Sequence, residues 1–233
     1  MHKKYELTDE TIEHSGKTLH RIRALISFAD VEAGDGDLGG FVESENNLSH
    51  EGDAWIYDDA KAYSRASVTG NAILTGFSRI SEDAKISGEA GAHHNSKIYG
   101  NATVRGHANL YERASVRGTA EIYGHAELNE DATVFGNAKV HGHAQIYDIV
   151  HGKAEVRGHA KVYGEVSDRA KVYGHTKIYG HGTVRGRARI HGNAEIKDAG
   201  IYDKIEIKKN KKDKKKSSKT NTKMLPGVNP SSC

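Results

Sequence analysis

Residues 140–176 read VHGHAQIYDIVHGKAEVRGHAKVYGEVSDRAKVYGHT. Aliphatic residues fall here on a beat of six, and the beat loses two residues, twice. Toward the N-terminus it is unbroken: every sixth residue from Ile56 to Ile146 is Ile, Val, Leu or Ala. Four places after most of these stands a small residue, as at Ala102, Ala108, Ala114 and Ala120. Two places after stands Gly or an acidic residue, as at Gly100, Gly106, Glu112 and Gly118.

A period of six fits neither an amphipathic helix nor a β-meander, whose turns recur at longer spacing. It fits short parallel strands wound around a triangular prism, one hexad to a side and three to a coil, with coils stacked at about 4.8 Å. The aliphatic residue points inward and the small one sits beside the corner. Gly, or the Asn or His that follows it, takes the bend where positive φ is tolerated. The predicted fold is all-β: a single-stranded parallel β-helix of about eight triangular coils.

The two lapses then have a place. After Ile146 the next inward residue is Val150, and after Val162 it is Val166, so two sides are four residues long. They lie three hexads apart, on the same face of consecutive coils. A deletion in one coil must be copied in its neighbour if the strands are to stay stacked, and a local narrowing of the prism is expected.

The same register predicts a column. The fourth hexad residue on one face runs Asn71, Glu89, His107, His125, His143, His159, His175, Asn193. The five histidines align only if the coils shorten from 18 to 16 residues where the lapses fall. Two readings stand. In one, His replaces the Asn or Asp of equivalent corners and adopts the left-handed conformation. In the other, the ladder binds a metal ion or responds to pH: charged imidazoles on adjacent rungs repel by about 1–3 kcal/mol per pair. One column offers at most two ligands per ion, so a tight zinc site needs a neighbouring subunit.

Nine of the eleven tyrosines occupy the second hexad position, and Tyr147, Tyr163 and Tyr179 fall on successive rungs. Cross-strand stacking explains them, as does a flat binding or subunit interface. Lys153, Arg169 and Arg187 form a basic column suited to a small anionic ligand, or a stripe of ordinary surface charge. No cofactor is expected, and no Ser-His-Asp order, phosphate loop or paired carboxylates stand out.

Charge is distributed unevenly. The net is −7 over residues 1–100, +2 over 101–203 and +8 over 204–233. The last region holds IKKNKKDKKKSSKTNTK, expected to be a disordered basic tail and the one segment suited to nucleic acid. Three regions follow: an N-terminal hairpin and cap over 1–50, the β-helix over 51–203, and the tail over 204–233. TIEHSGKTLHRIRAL predicts a hairpin around Ser15-Gly16. No segment approaches 18 consecutive apolar residues, and the single cysteine, Cys233, allows no disulfide within the chain. A cytoplasmic protein without membrane contact is expected.

The pattern IYGNATVRGHAN, residues 98–109, resembles the hexapeptide repeat of left-handed parallel β-helix proteins. The resemblance implies the left hand. Within that group, residues 5–60, with YELTDETI, LHRIRAL and GDLGGFVE, resemble uncharacterised bacterial and prophage proteins. Better-known members of the wider group are trimeric acyltransferases, which implies a homotrimer. Two functions follow: a non-enzymatic structural or binding protein that uses the flat faces to engage a protein or small anion, or a CoA-dependent acyltransferase. The acyltransferases typically carry a loop thrown out of the coil beside a lone histidine, whereas this chain has deletions and a ladder. A regular threonine array, as ice binding requires, is missing, and so is the histidine pair of the hexapeptide-fold carbonic anhydrases.

Overall fold

A computed structural model describes residues 3–27, 33–202 and 205–209. Within them the only helical element is one short 3-10 turn, Glu45–Asn47, and everything else regular is strand. The strands form three parallel-stacked sheets, the faces of a triangular solenoid.

Face I opens with β1 (Tyr5–His14), β2 (Lys17–Ala24) and β3 (Leu38–Val42) and continues through nine short strands from Lys61–Ala62 to Gly200–Ile201. Face II holds nine strands from Ser67–Val68 to Glu206–Lys209, and face III nine from Trp55–Ile56 to Glu195–Lys197. The chain runs face III, face I, face II and repeats. The described residues thus make nine coils, the last closed by segments outside the regular hexad pattern, Gly200–Ile201 and Glu206–Lys209.

Each strand contributes one outward residue and one inward aliphatic. The inward residues stack in register, as Leu110 on Leu128 on Ile146, and all three are fully buried. Alanines such as Ala108, Ala126 and Ala144 fill the space beside each corner, also fully buried. A core of this kind sums many small burials, and removing one Leu costs about 2–5 kcal/mol.

At the lapses, Val134 pairs Val150 and Val150 pairs Val166, each sixteen residues on; Val166 then pairs Val184, eighteen on. The missing residues come out of the corner between faces III and I. There Tyr147-Asp148 and Tyr163-Gly164 alone join strands that four-residue corners join elsewhere. Ile146, Val150, Val162 and Val166 all stay fully buried, so the corner is clipped while the inward positions keep their place in the core. The strand positions carry the apolar burial, and corner residues can go at smaller cost.

The corners correct one expectation. Positive φ falls at the third hexad position, as at Gly106 (76°), Gly124 (74°), Glu112 (54°) and Glu130 (56°), and not at the Asn or His that follows. Corner II–III uses glycine here in coil after coil, and a Cβ on Gly124 would lie 3.0 Å from the Gly142 amide nitrogen. The histidine column therefore does not serve the left-handed turn.

The hairpin forms as expected, with Ser15 (φ 52°) and Gly16 (φ 73°) in the turn. Strand β2 pairs antiparallel with β3, and β3 pairs parallel with Lys61–Ala62, which seats the hairpin on the first edge of face I. Tyr5 stacks on His50 at 4.3 Å and its hydroxyl donates to the Leu48 carbonyl at 2.8 Å. The Lys4 ammonium donates to the carbonyls of Ala54 and Gly52 at 2.7 and 3.1 Å, and burial lowers its pKa to about 8. At the other end Glu206–Lys209 pairs with Arg189–Gly192. The lysine-rich stretch from 210, with Cys233, lies outside the described residues.

Candidate functional site: two stacked columns on one corner

Corner II–III carries the histidine ladder. His107, His125, His143, His159 and His175 stack ring on ring, with centroid separations of 4.5, 4.8, 4.9 and 4.9 Å and planes within 5° of parallel. At its first rung the His107 Nδ1 lies 2.9 Å from a Glu89 carboxylate oxygen. The strand repeat sets this spacing, because each ring leaves the backbone just after a corner glycine. Parallel rings hold their in-plane lone pairs side by side instead of aiming them at one point. Among the described residues no group of three or more His, Cys, Asp or Glu side chains could hold a metal ion.

A second column stands beside the first. At the second hexad position the same corner reads Arg105, Tyr123, His141, Arg157, Tyr173, His191, one three-residue cycle repeated. The Arg105 guanidinium lies 4.3 Å over the Tyr123 ring, and Tyr123 stacks on His141 at 4.5 Å. Arg157 lies 4.4 Å over Tyr173, and Tyr173 stacks on His191 at 4.8 Å. Cation–π contacts of this type contribute about 0.5–1 kcal/mol each at exposed sites. Sequence reasoning missed this column. Its signal is plain only when hexads are compared one coil apart with the sixteen-residue coils counted correctly.

Acidic residues on face II hold the second column in place. Glu155 meets His141 Nε2 at 3.3 Å, Arg157 at 3.2 Å and Lys171 at 2.9 Å. Burial alone would raise the Glu155 carboxyl, but hydrogen bonds from Lys171 and His141 keep it below the ordinary range. On face III, Glu127, Gln145 and Lys161 border a shallow groove with His125, His143 and His159. The Gln145 amide donates to Glu127 across that groove at 2.7 Å.

The other expected residues lie apart. Tyr147 and Tyr163 stack at 4.2 Å on the clipped corner III–I, and burial with the Tyr163 hydroxyl pushes the Tyr147 phenol up to about 12. Tyr179 follows one rung on, opposite Lys197 in the next coil. Lys153, Arg169 and Arg187 form an exposed column on corner I–II, where the Lys153 amide bonds to the Asp168 carbonyl and the Arg169 amide to that of Gly186. Nearby Arg185 is held by Glu165 at 2.7 Å. The structure thus brings the histidines into one array and leaves the tyrosine and basic columns on two other corners.

No family model matches the chain. A 61-residue stretch is 43% identical to an uncharacterized acetyltransferase, YdcK, of Escherichia coli (strain K12). That stretch is 26% of this chain and 18% of YdcK, so the match spans under a fifth of the relative's length. The similarity and the solenoid together fit a β-helix family of the hexapeptide-repeat kind. No helix among the described residues is long and apolar enough to cross a membrane.

Proposed function

We propose that this chain is a binding solenoid that assembles through corner II–III with further copies of itself. The observation that supports this most is the pair of parallel columns there. Arg, Tyr and His side chains, fixed by stacking, present a rigid strip at no further cost in side-chain freedom. Tyr and Arg are the residue types that dominate interface energetics. The trimer implied by the sequence resemblance is the expected assembly. Light scattering of the purified chain tests it: a mass about three times 25.4 kDa is expected, falling toward one copy in Arg157→Ala and Tyr173→Ala. A mass of one copy at every concentration would overturn the reading.

One observation favours a second reading, acyl transfer from CoA: the partial similarity to a protein named as an acetyltransferase. A trimer is common to both readings, and turnover separates them. Release of free thiol from acetyl-CoA in the presence of amine or hydroxyl acceptors supports transfer, and its absence across a broad acceptor panel leaves the binding role.

A further inference from the structure

The first coils of face I carry a feature that neither reading uses. Lys61, Arg79 and Lys97 occupy the outward position of three successive strands and face one another in register. Like charges directly opposite on neighbouring strands are destabilising. Some other strands interleave their charges: on face II, Glu121 sits against Lys139 at 2.6 Å and Glu155 against Lys171 at 2.9 Å, although Lys171 also faces Arg189 there and Lys161 faces Lys177 on face III. Here three cations stand in a row. Arg79 and Lys97 have no carboxylate partner among the described residues, and Lys61 is served by the Asp59 carbonyl at 2.6 Å, with the Asp59 carboxylate among the charges that act on it.

The same three cations line a recess. Its other walls are Phe77 and Asn95, from the adjacent corner column, and His14 from the tip of the hairpin, which packs edge-on against Tyr63 at 5.2 Å. Arg113 closes the far side, already committed to Asp131 through two 2.6 Å hydrogen bonds. Two details of the recess bear on what it could hold. The His14 Nε2 is buried without a hydrogen-bond partner, which is costly for a polar atom. Phe77 stands 61% exposed at the lip, beside the Asn95 side-chain amide, which has no hydrogen-bond partner among the described residues.

We propose that this recess binds a nucleoside diphosphate group, its phosphates along Arg79 and Lys97 and its base stacked on Phe77. Arg79 and Lys97 stand on adjacent rungs, about 4.8 Å apart, a spacing that two linked phosphates can bridge. Planar guanidinium forks bind phosphate oxygens in pairs, and an aromatic face accepts any base. The hairpin makes the recess: without β1 and β2 the cations would lie on an open sheet.

Calorimetric titration of the full chain with ADP, inorganic pyrophosphate and adenosine tests the proposal, and it does so whatever the oligomeric state. ADP is expected to bind more tightly than pyrophosphate, and Arg79→Gln and Lys97→Gln each to weaken it by about tenfold or more. Both side chains point outward, so the fold should survive, which circular dichroism checks. Phe77→Ala should weaken ADP and leave pyrophosphate unchanged. Failure of ADP to bind, binding equal in wild type and both Gln variants, or pyrophosphate binding as tightly as ADP would overturn it.

Discussion

His143 and His159 stack at 4.9 Å with their planes 5° apart, although sixteen residues separate them where eighteen separate His125 from His143. The backbone has absorbed the difference on the far corner, and the column passes through undisturbed. Cysteines placed at 143 and 159 should therefore close a disulfide on oxidation, since neighbouring rungs fall within the span such a bond requires. A pair at 143 and 161, the spacing of a full coil, should not. Failure of the first pair to close in a folded variant would refute the coil assignment.

The clipped corners make a paired prediction. Inserting Gly-Asn after Tyr147 alone restores an eighteen-residue coil above a sixteen-residue one and leaves the corner strands unmatched. Stability should drop, and a second insertion after Tyr163 should return part of it, a coupling of about 0.5–3 kcal/mol. Thermal melts of the two single variants and the double measure it. Additive losses would mean that the corners are independent.

The left-handed positions give opposite signs on two corners. Gly124→Ala puts a Cβ into the next coil at a φ that disfavours it, and should cost about 1–3 kcal/mol. Glu130→Gly relieves the same conformation where an acidic residue holds it (φ 56°) and should stabilise by up to about 1 kcal/mol. Chemical denaturation of the two variants compares them directly.

Acid sensitivity is expected from His93. Burial lowers its pKa below the ordinary imidazole value, with a smaller opposing effect from the Asn109 hydrogen bond. Between that lowered value and about 6.5 the unfolded chain holds a proton that the native one does not. Its contribution is therefore intact above about pH 6.5 and is lost as pH falls through that window. His93→Gln should flatten this limb of the stability–pH curve, measured by urea midpoints from pH 7.5 downward. An unchanged slope would assign the sensitivity to other groups.

The core was legible because one number describes it. Every inward residue from Ile56 to Ile146 recurs at six, and a period needs no knowledge of what lies across the sheet. The hairpin was legible at Ser15-Gly16 for a local reason, two adjacent residues able to take positive φ. The left-handed turn was legible at its glycines, such as Gly106 and Gly124, but the Asn or His that follows also tolerates that conformation and was a false alternative, while Glu112 and Glu130, which adopt it, show no sign of doing so in sequence. The Arg–Tyr–His column was missed because its members stand a whole coil apart. The recess was missed because His14 reaches Lys61 and Phe77 only after the hairpin has docked, a long-range event without a local signature.

The clipped corners also show where a coil can change length. VHGHAQIYDIVHGKAE and VRGHAKVYGEVSDRAK, residues 140–155 and 156–171, are two consecutive coils with the same omission at the same place. Val150 and Val166 pair across the clipped coils, and Val166 then pairs Val184 across a full one, so coils of both lengths stack in register. The length of a turn in this solenoid is therefore set at its corners, while the three strand registers stay fixed.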